Sequence, residues 1–383
     1  MKAIAVIDGE HYAPVVRDAL RVLPYEFVGA LLVGGTEKLR GDDDYGVPLL
    51  RSLGEVKADV VVDLSDEPVM SPPERFRLAS RALVHGLRYV GADFHFEPPP
   101  LEPFELPSLS VIGTGKRVGK TAVTAHVARL LARDRHVVVV AMGRGGPAEP
   151  ELVEAPPTVA DLLALSRSGR HAASDHLEAA ALAGVVTVGC RRAGGGLAGT
   201  VSYSNVAEGV ALARTLDPDV VMFDGSGAAI PPVATTGRIL VTTAGHDLEA
   251  YLNPYRVAIS DLVVGVGDVR GADLNVSLRL RPIEPLEGRR TAVFTTGAVP
   301  VEHLDAELVH VSRNLANREA LRAELADVDA DVFVVELKAA AIDVVAEEAA
   351  ARGADLVLAA NDVAGDGLDE AVLGLLPAKV AAL

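Results

Sequence analysis

Ser108-Leu109-Ser110-Val111-Ile112-Gly113-Thr114-Gly115-Lys116-Arg117-Val118-Gly119-Lys120-Thr121 is the stretch on which the reading of this chain turns. A short apolar strand, a glycine-bearing turn and Gly-Lys-Thr opening a helix are the parts of a phosphate-binding loop. Glycines at 113, 115 and 119 let backbone N–H groups curl around phosphate oxygens, and the helix N-terminus adds a positive dipole. Lys120 is placed to reach β- and γ-phosphates, and the Thr121 hydroxyl to ligate Mg²⁺. The first consensus glycine falls on Thr114, with Gly113 one place earlier. Val118 completes the turn, and Val123, Val127, Leu130 and Leu131 follow at helical spacing. Strand, loop and helix occur in the required order, and bound ATP with Mg²⁺ is the expectation.

The rest of the chain is compatible with a soluble enzyme. Its 383 residues exceed what one core holds, so two or three domains are expected. Hydrophobic residues make up 49% and charged residues only 23%, a globular rather than disordered balance. No apolar run approaches the roughly 18 residues of a membrane span. The single cysteine, Cys190, excludes an internal disulfide framework and fits a reducing cytoplasm. A net charge of −17 argues against nucleic-acid or membrane partners but not against a small polyanion held in a local basic pocket. A homodimer is compatible with the sequence.

Alternating strands and helices predict an α/β fold. The expected core is a central P-loop doubly wound, mostly parallel sheet flanked by smaller N-terminal and C-terminal α/β domains. Residues 1–105 read as the first domain, with strands over 3–7, 27–33, 59–64 and 88–90 and helices over 14–23 and 74–85. The proline-rich 97–103 segment is a stiff linker. Residues 106–290 hold the phosphate loop and strands over 136–141, 185–189, 219–223, 238–242 and 262–266. Residues 291–383 form a third unit with strands over 291–295, 308–311, 331–335 and 355–359. A helix over 339–352 presents Ile342, Val345 and Ala349 on one face.

Candidate chemistry gathers at strand ends. A buried apolar strand delivers Asp224, the carboxylate expected to bind Mg²⁺ directly or through water. Gly225, Ser226 and Gly227 follow it and can approach a phosphate closely. Arg191 and Arg192, beside a glycine run, suit bidentate binding of phosphate or carboxylate groups. Arg144 ends the strand after the phosphate-loop helix and is a candidate for the transferred phosphoryl, with Glu149 or Glu151 near the metal. Lys116 and Arg117 lie within the loop and can neutralise charge on the phosphates or acceptor. Asp8, Glu10 and His11 close the first strand and are candidate substrate contacts. Glu336 and Lys338 close a late strand as an ion pair or a substrate contact. Cys190 reads as a packing residue, and no histidine spacing suggests zinc.

These motifs together resemble the cyclic 2,3-diphosphoglycerate synthetase family. The residues carrying the likeness are 7–12, 113–121, 143–147, 189–192, 224–232 and 336–343, spread over nearly the whole chain. The loop Gly-Thr-x-x-x-Val-Gly-Lys-Thr is also similar to that of dethiobiotin synthetase. What the resemblance implies is ATP-driven closure of a phosphoanhydride between the two phosphates of 2,3-diphosphoglycerate, releasing ADP and phosphate. Lys120, Thr121, Asp224 and Mg²⁺ would then handle ATP, while Lys116, Arg144, Arg191 and Arg192 hold the acceptor. Lys120→Ala is expected to abolish turnover with the fold intact. Two other readings remain open at this level: a carboxylate-activating ligase of the dethiobiotin type, and a nucleotide-driven switch or metallochaperone.

Overall fold

The computed structural model describes residues 1–41, 43–297, 299–338 and 341–377. They fall into two compact units. The first comprises Met1–Pro100 with Gly196–Thr200 and Asp247–Ser260, and the second takes the rest.

In the first unit, β1 (Lys2–Ile7), β2 (Glu26–Leu32), β3 (Leu49–Leu50), β4 (Val60–Asp63), β5 (Arg88–Val90) and β6 (His95–Phe96) form one sheet ordered β3-β2-β1-β4-β5-β6. All pairs are parallel except β5–β6. The strands are short Val-, Ile- and Ala-rich runs, as parallel strands buried on both faces require. α1 (Ala13–Val22) and α2 (Pro72–Val84) both begin with proline in the first turn, and Ser71 with Glu74 forms a capping box on α2.

The second unit is built on one long sheet. Its strands are β7 (Ser108–Gly113), β8 (Val137–Gly143), β9 (Glu151–Val153), β10 (Val186–Ala193), β11 (Tyr203–Ser204), β12 (Val220–Asp224), β13 (Gly237–Thr243), β14 (Leu262–Val266), β15 (Leu274–Pro282), β16 (Arg290–Phe294), β17 (Glu307–Ser312), β18 (Val332–Glu336) and β19 (Asp355–Ala364). The order runs β11-β10-β8-β12-β7-β13-β14-β15-β19-β18-β16-β17, with β9 on β10. Helices α3 (Lys120–Leu131), α4 (Val159–Arg167), α5 (Asp175–Ala183) and α6 (Val206–Arg214) accompany the first half. The core around β7 packs Leu109, Val111, Val123, Val127, Leu131, Val139, Met222 and Val241, each fully buried.

Besides the short strands β3, β6, β9 and β11, two features depart from the sequence reading. β15 was not foreseen, and it pairs antiparallel with β19 from Ser277↔Ala364 to Pro282↔Ala359. That ladder makes the phosphate-loop strands and the last strands a single sheet. The expected helix over 339–352 begins on residues 339 and 340, which lie outside the described residues. From Ala341 to Ala346 the chain forms a π-helical turn, and the α-helix is confined to Glu347–Arg352. Ile342, Val345 and Ala349 are all buried. Among the described residues no helix is long and apolar enough to cross a membrane.

Candidate active site

The phosphate loop grows from the middle of the sheet. β7 is buried along its whole length between β12 and β13. Such burial fixes the strand end from which residues 114–119 rise. Within the loop, Arg117 (φ 61°) and Gly119 (φ 86°) take the left-handed conformation, which is costly for arginine and free for glycine. Both turn the backbone so that helix α3 starts at once on Lys120, with its unpaired amides at the loop mouth. Val118 is buried and anchors the turn. Thr114 donates its amide to the Val241 carbonyl (3.1 Å) and its hydroxyl to Thr242 (3.0 Å), with His246 Nδ1 3.2 Å away. The residue at the consensus glycine position thus ties the loop to β13.

Lys120 and Asp224 meet across the strand ends. Lys120 Nζ donates to Asp224 Oδ1 at 2.5 Å, and the Thr124 hydroxyl donates to the same oxygen at 2.7 Å. Asp224 is buried and Lys120 partly so, with side-chain exposures of 5% and 11%. Burial raises the Asp224 pKa, and the nearby charge of Asp175 adds to this; Lys120 and Thr124 pull the other way. The loop 115–121 opens on a cavity of about 1010 Å³. Arg144, Asp175, Ser226 and Gly227 line it beside the phosphate loop, and Thr296, Glu336, Lys338 and Asn361 line it from the strands that follow β15. Gly227 brings its carbonyl within 3.0 Å of where a Cβ on Gly113 would stand, so the loop after β12 abuts the phosphate loop.

Three family models match this chain in succession. They are the N-terminal domain of cyclic 2,3-diphosphoglycerate synthetase over residues 2–97, its P-loop domain over 108–269, and its C-terminal domain over 282–362. The cyclic 2,3-diphosphoglycerate synthetase of Rubrobacter xylanophilus is 44% identical over 98% of this chain and 97% of its own length. That of Thermococcus gammatolerans is 41% identical over 97% and 96%. The chain belongs to the cyclic 2,3-diphosphoglycerate synthetase family. Among solved structures, LpxK from Aquifex aeolicus in complex with ATP aligns at a TM-score of 0.43 and 12% identity over 73% of this chain and 91% of that one.

The structure sorts the candidate residues singled out from the sequence. Lys116, Arg117, Lys120, Thr121, Arg144, Ser226, Gly227 and Lys338 all line the cavity, as do Gly115, Val118 and Gly119. Gly113 ends β7 beneath the loop. Gly225 serves the framework instead: its amide continues the ladder to Val111, and it is hemmed in by the carbonyls of Val111 and Ala229.

The two arginines of β10 part company. Successive residues on a strand point to opposite faces. Arg191 turns away and donates from Nε to the Pro147 carbonyl at 2.7 Å. Arg192 donates to the Ser226 carbonyl at 2.8 Å and stands behind Ser226 and Gly227, which line the cavity, without lining it itself. Burial lowers the Arg192 pKa, with the like charge of Arg144 adding and Asp175 opposing, so these three groups share one field. Arg191 is therefore corrected from an acceptor contact to a loop tie.

Other expectations are redirected too. Glu151 pairs with Arg170 at 2.5 Å, and Glu149 is exposed and lines no part of the cavity. Lys338 does not pair with Glu336; its ammonium bonds Glu178 of α5. In the first unit, Asp8 is fully buried and accepts from the amides of Glu10 (3.0 Å) and Asp66 (2.8 Å), with His11 Nδ1 2.7 Å away. Those bonds hold its carboxyl below the usual carboxylate range despite the opposing effect of burial. Glu10 accepts from the amides of Thr36 and Glu37. All these partners lie within the unit's own loops. Cys190 is completely buried, and burial pushes its thiol up to about 12, which suits packing and not nucleophilic attack.

Sequence reasoning overlooked Asp175. It opens α5, and its Oδ2 lies 3.1 Å from where a Cβ on Gly143 would stand, at the end of β8. It faces the cavity and interacts electrostatically with Asp224. Ser174-Asp175 preceding an apolar helix reads in sequence as an ordinary cap, and only the fold brings it to the phosphate loop.

Proposed function

We propose that this protein joins the two phosphates of 2,3-diphosphoglycerate into an intramolecular phosphoanhydride at the expense of ATP, releasing ADP and phosphate. The observation that carries the reading is the shared cavity: a phosphate loop and a group of cations beyond it open on one space of about 1010 Å³, at the top of the range for small-molecule sites. Such a volume suits two polyanions side by side. Family membership over nearly the whole chain supports the acceptor's identity.

The chemistry divides into two displacements. An oxygen of one acceptor phosphate attacks the γ-phosphorus of ATP; the bond from that phosphorus to the β-bridging oxygen breaks, and ADP leaves with the electron pair. An oxygen of the second acceptor phosphate then attacks the first acceptor phosphorus, which now bears the transferred phosphoryl group. The anhydride oxygen departs with the transferred phosphorus as orthophosphate, and the ring closes. Such transfers depend on positioning and charge neutralisation. The amides at the start of α3 and Lys120 grip the β- and γ-phosphates. Lys116 and Arg144 neutralise the attacking phosphate, and Arg192 holds the Ser226-Gly227 turn against it. Arg117 completes the cationic rim.

The donors at the loop fit Mg²⁺. Thr121 and Asp175 line the cavity and offer a hydroxyl and a carboxylate oxygen, the hard ligands this ion prefers, and Asp224, bonded to Lys120 at the loop, offers a second carboxylate. Mg²⁺ binds through one or two carboxylates plus substrate phosphates, and when bound it would neutralise charge on the phosphate oxygens. Asp175→Asn is expected to raise the Mg²⁺ concentration for half-maximal turnover by about tenfold, the loss of one charged ligand. ADP binding without metal, followed by calorimetry, stays unchanged. A reducing cytoplasm, where ATP is abundant and Cys190 stays a thiol, is the setting this reading supports.

The test is phosphate release with and without acceptor. ATP consumption should rise at least about a hundredfold on adding 2,3-diphosphoglycerate, as expected when the acceptor completes the site. Equal consumption without it would favour a nucleotide switch instead.

A further inference from the structure

The cavity has a second wall, and its composition differs from the first. It is made by the C-terminal ends of β16 and β18, with β19 beside them, which run parallel to one another. Open α/β sheets place ligands at such ends. Glu336 closes β18 and is 5% exposed, yet all its bonds stay inside the wall. Oε2 accepts from the Thr296 amide (2.7 Å) and hydroxyl (2.9 Å), and Oε1 accepts from Asn361 Nδ2 (2.7 Å). One carboxylate thus ties the ends of β16 and β18 to the side of β19 as a rigid floor.

Lys338, two residues on, stands over that floor. Its ammonium is bonded to Glu178, whose side chain is only 7% exposed, while Lys338 itself keeps 34% of its side chain open. Burial works against the charge, but Glu178 first, then Glu336 and Asp175, raise its pKa, so it remains a cation. Arg318, the other cation on this wall, bonds Asp343 at 2.6 Å. Lys338 is therefore a cation held in place by Glu178 of α5, with the Glu336 carboxylate close enough to favour its charge, and it lines the same cavity as the phosphate loop.

Resting on the proposed reaction, we infer that Lys338 binds the acceptor phosphate remote from the transferred phosphoryl group, and that Glu178 is its positioning residue. The geometry requires a cation there. Lys116 and Arg144 serve the acceptor phosphate nearest the nucleotide. Ring closure needs the second phosphate held at the same time, and a dianion entering this cavity needs a counter-charge on the opposite wall. Lys338 supplies it, and so selects acceptors carrying two phosphates over those carrying one.

Steady-state kinetics on the full chain test this. Lys338→Met should raise KM for 2,3-diphosphoglycerate by about ten- to a hundredfold, the loss of one charge-assisted bond. The inhibition constant of 3-phosphoglycerate, which has no second phosphate, and the Kd for ADP should stay within about twofold, below the loss expected for a single charged contact. Lys338→Arg should recover most of the KM. The double variant Lys338→Met/Glu178→Met leaves no buried charge unpaired and should show the same KM rise, separating acceptor binding from folding. An unchanged KM in both Met variants, or an equal weakening of ADP, overturns the inference. Wild-type protein that forms no cyclic product overturns the proposed reaction instead.

Discussion

Lys120→Ala lowers the rate of ATP consumption in the presence of acceptor by about a thousandfold or more, the cost of deleting a preorganised charged donor at the transferring group. Steady-state assays of ADP formation measure it, and residual turnover within about tenfold of wild type would remove Lys120 from the chemistry. The structure changes what else this variant does. Lys120 is the counter-ion of the buried Asp224 and is itself largely shielded from solvent. Its removal leaves Asp224 with the Thr124 hydroxyl alone. Stability should therefore fall by about 3 kcal/mol, the low end for a broken buried pair because the carboxyl can take up a proton. The expectation of an intact fold becomes one of a folded but weakened protein. Denaturant titration reads the loss, and it should shrink at lower pH, where Asp224, its pKa already raised by burial, is neutral.

The second large effect belongs to Asp224→Asn. Asp224 ends β12 next to β7, so the strand pairing Asp224↔Val111 delivers its carboxyl to the phosphate loop. Both Lys120 and Thr124 bond Oδ1. An amide keeps the shape and an oxygen acceptor but not the charge. It removes the carboxylate for Mg²⁺ and frees Lys120 from its counter-ion. Turnover should drop by about a hundred- to a thousandfold, while ADP binding without metal is retained or tightened, because Lys120 no longer has to exchange Asp224 for phosphate. Loss of metal-free ADP binding in this variant would contradict the assignment.

What the sequence disclosed and what it hid follow from the range of the interactions. The loop from Gly113 to Thr121 is a local device: its turn, dipole and helix start are all written within fourteen consecutive residues, 108–121. Asp224 was legible because an apolar strand ending in a carboxylate is the usual partner of such a loop. The strands were legible as Val-rich runs, since parallel strands buried on both faces leave that signature. Arg191 and Arg192 misled because they were read as a pair, whereas a strand sends neighbours to opposite faces. Glu178 and Lys338 are 160 residues apart in sequence, and no periodicity links them. Their meeting depends on β15, whose mixed sequence, Leu274 to Pro282, alternates exposed and buried positions too irregularly to stand out as a strand. Asp175 was hidden by its resemblance to a helix cap.

The most direct measurement follows oxygen. If the acceptor's own phosphate attacks ATP and is later displaced, the orthophosphate released must carry one oxygen that began on the acceptor. With ¹⁸O in the acceptor's non-bridging phosphate oxygens and ordinary water, mass spectrometry should find one ¹⁸O in each phosphate released, in step with cyclic product. Phosphate whose fourth oxygen comes from the water would contradict the account.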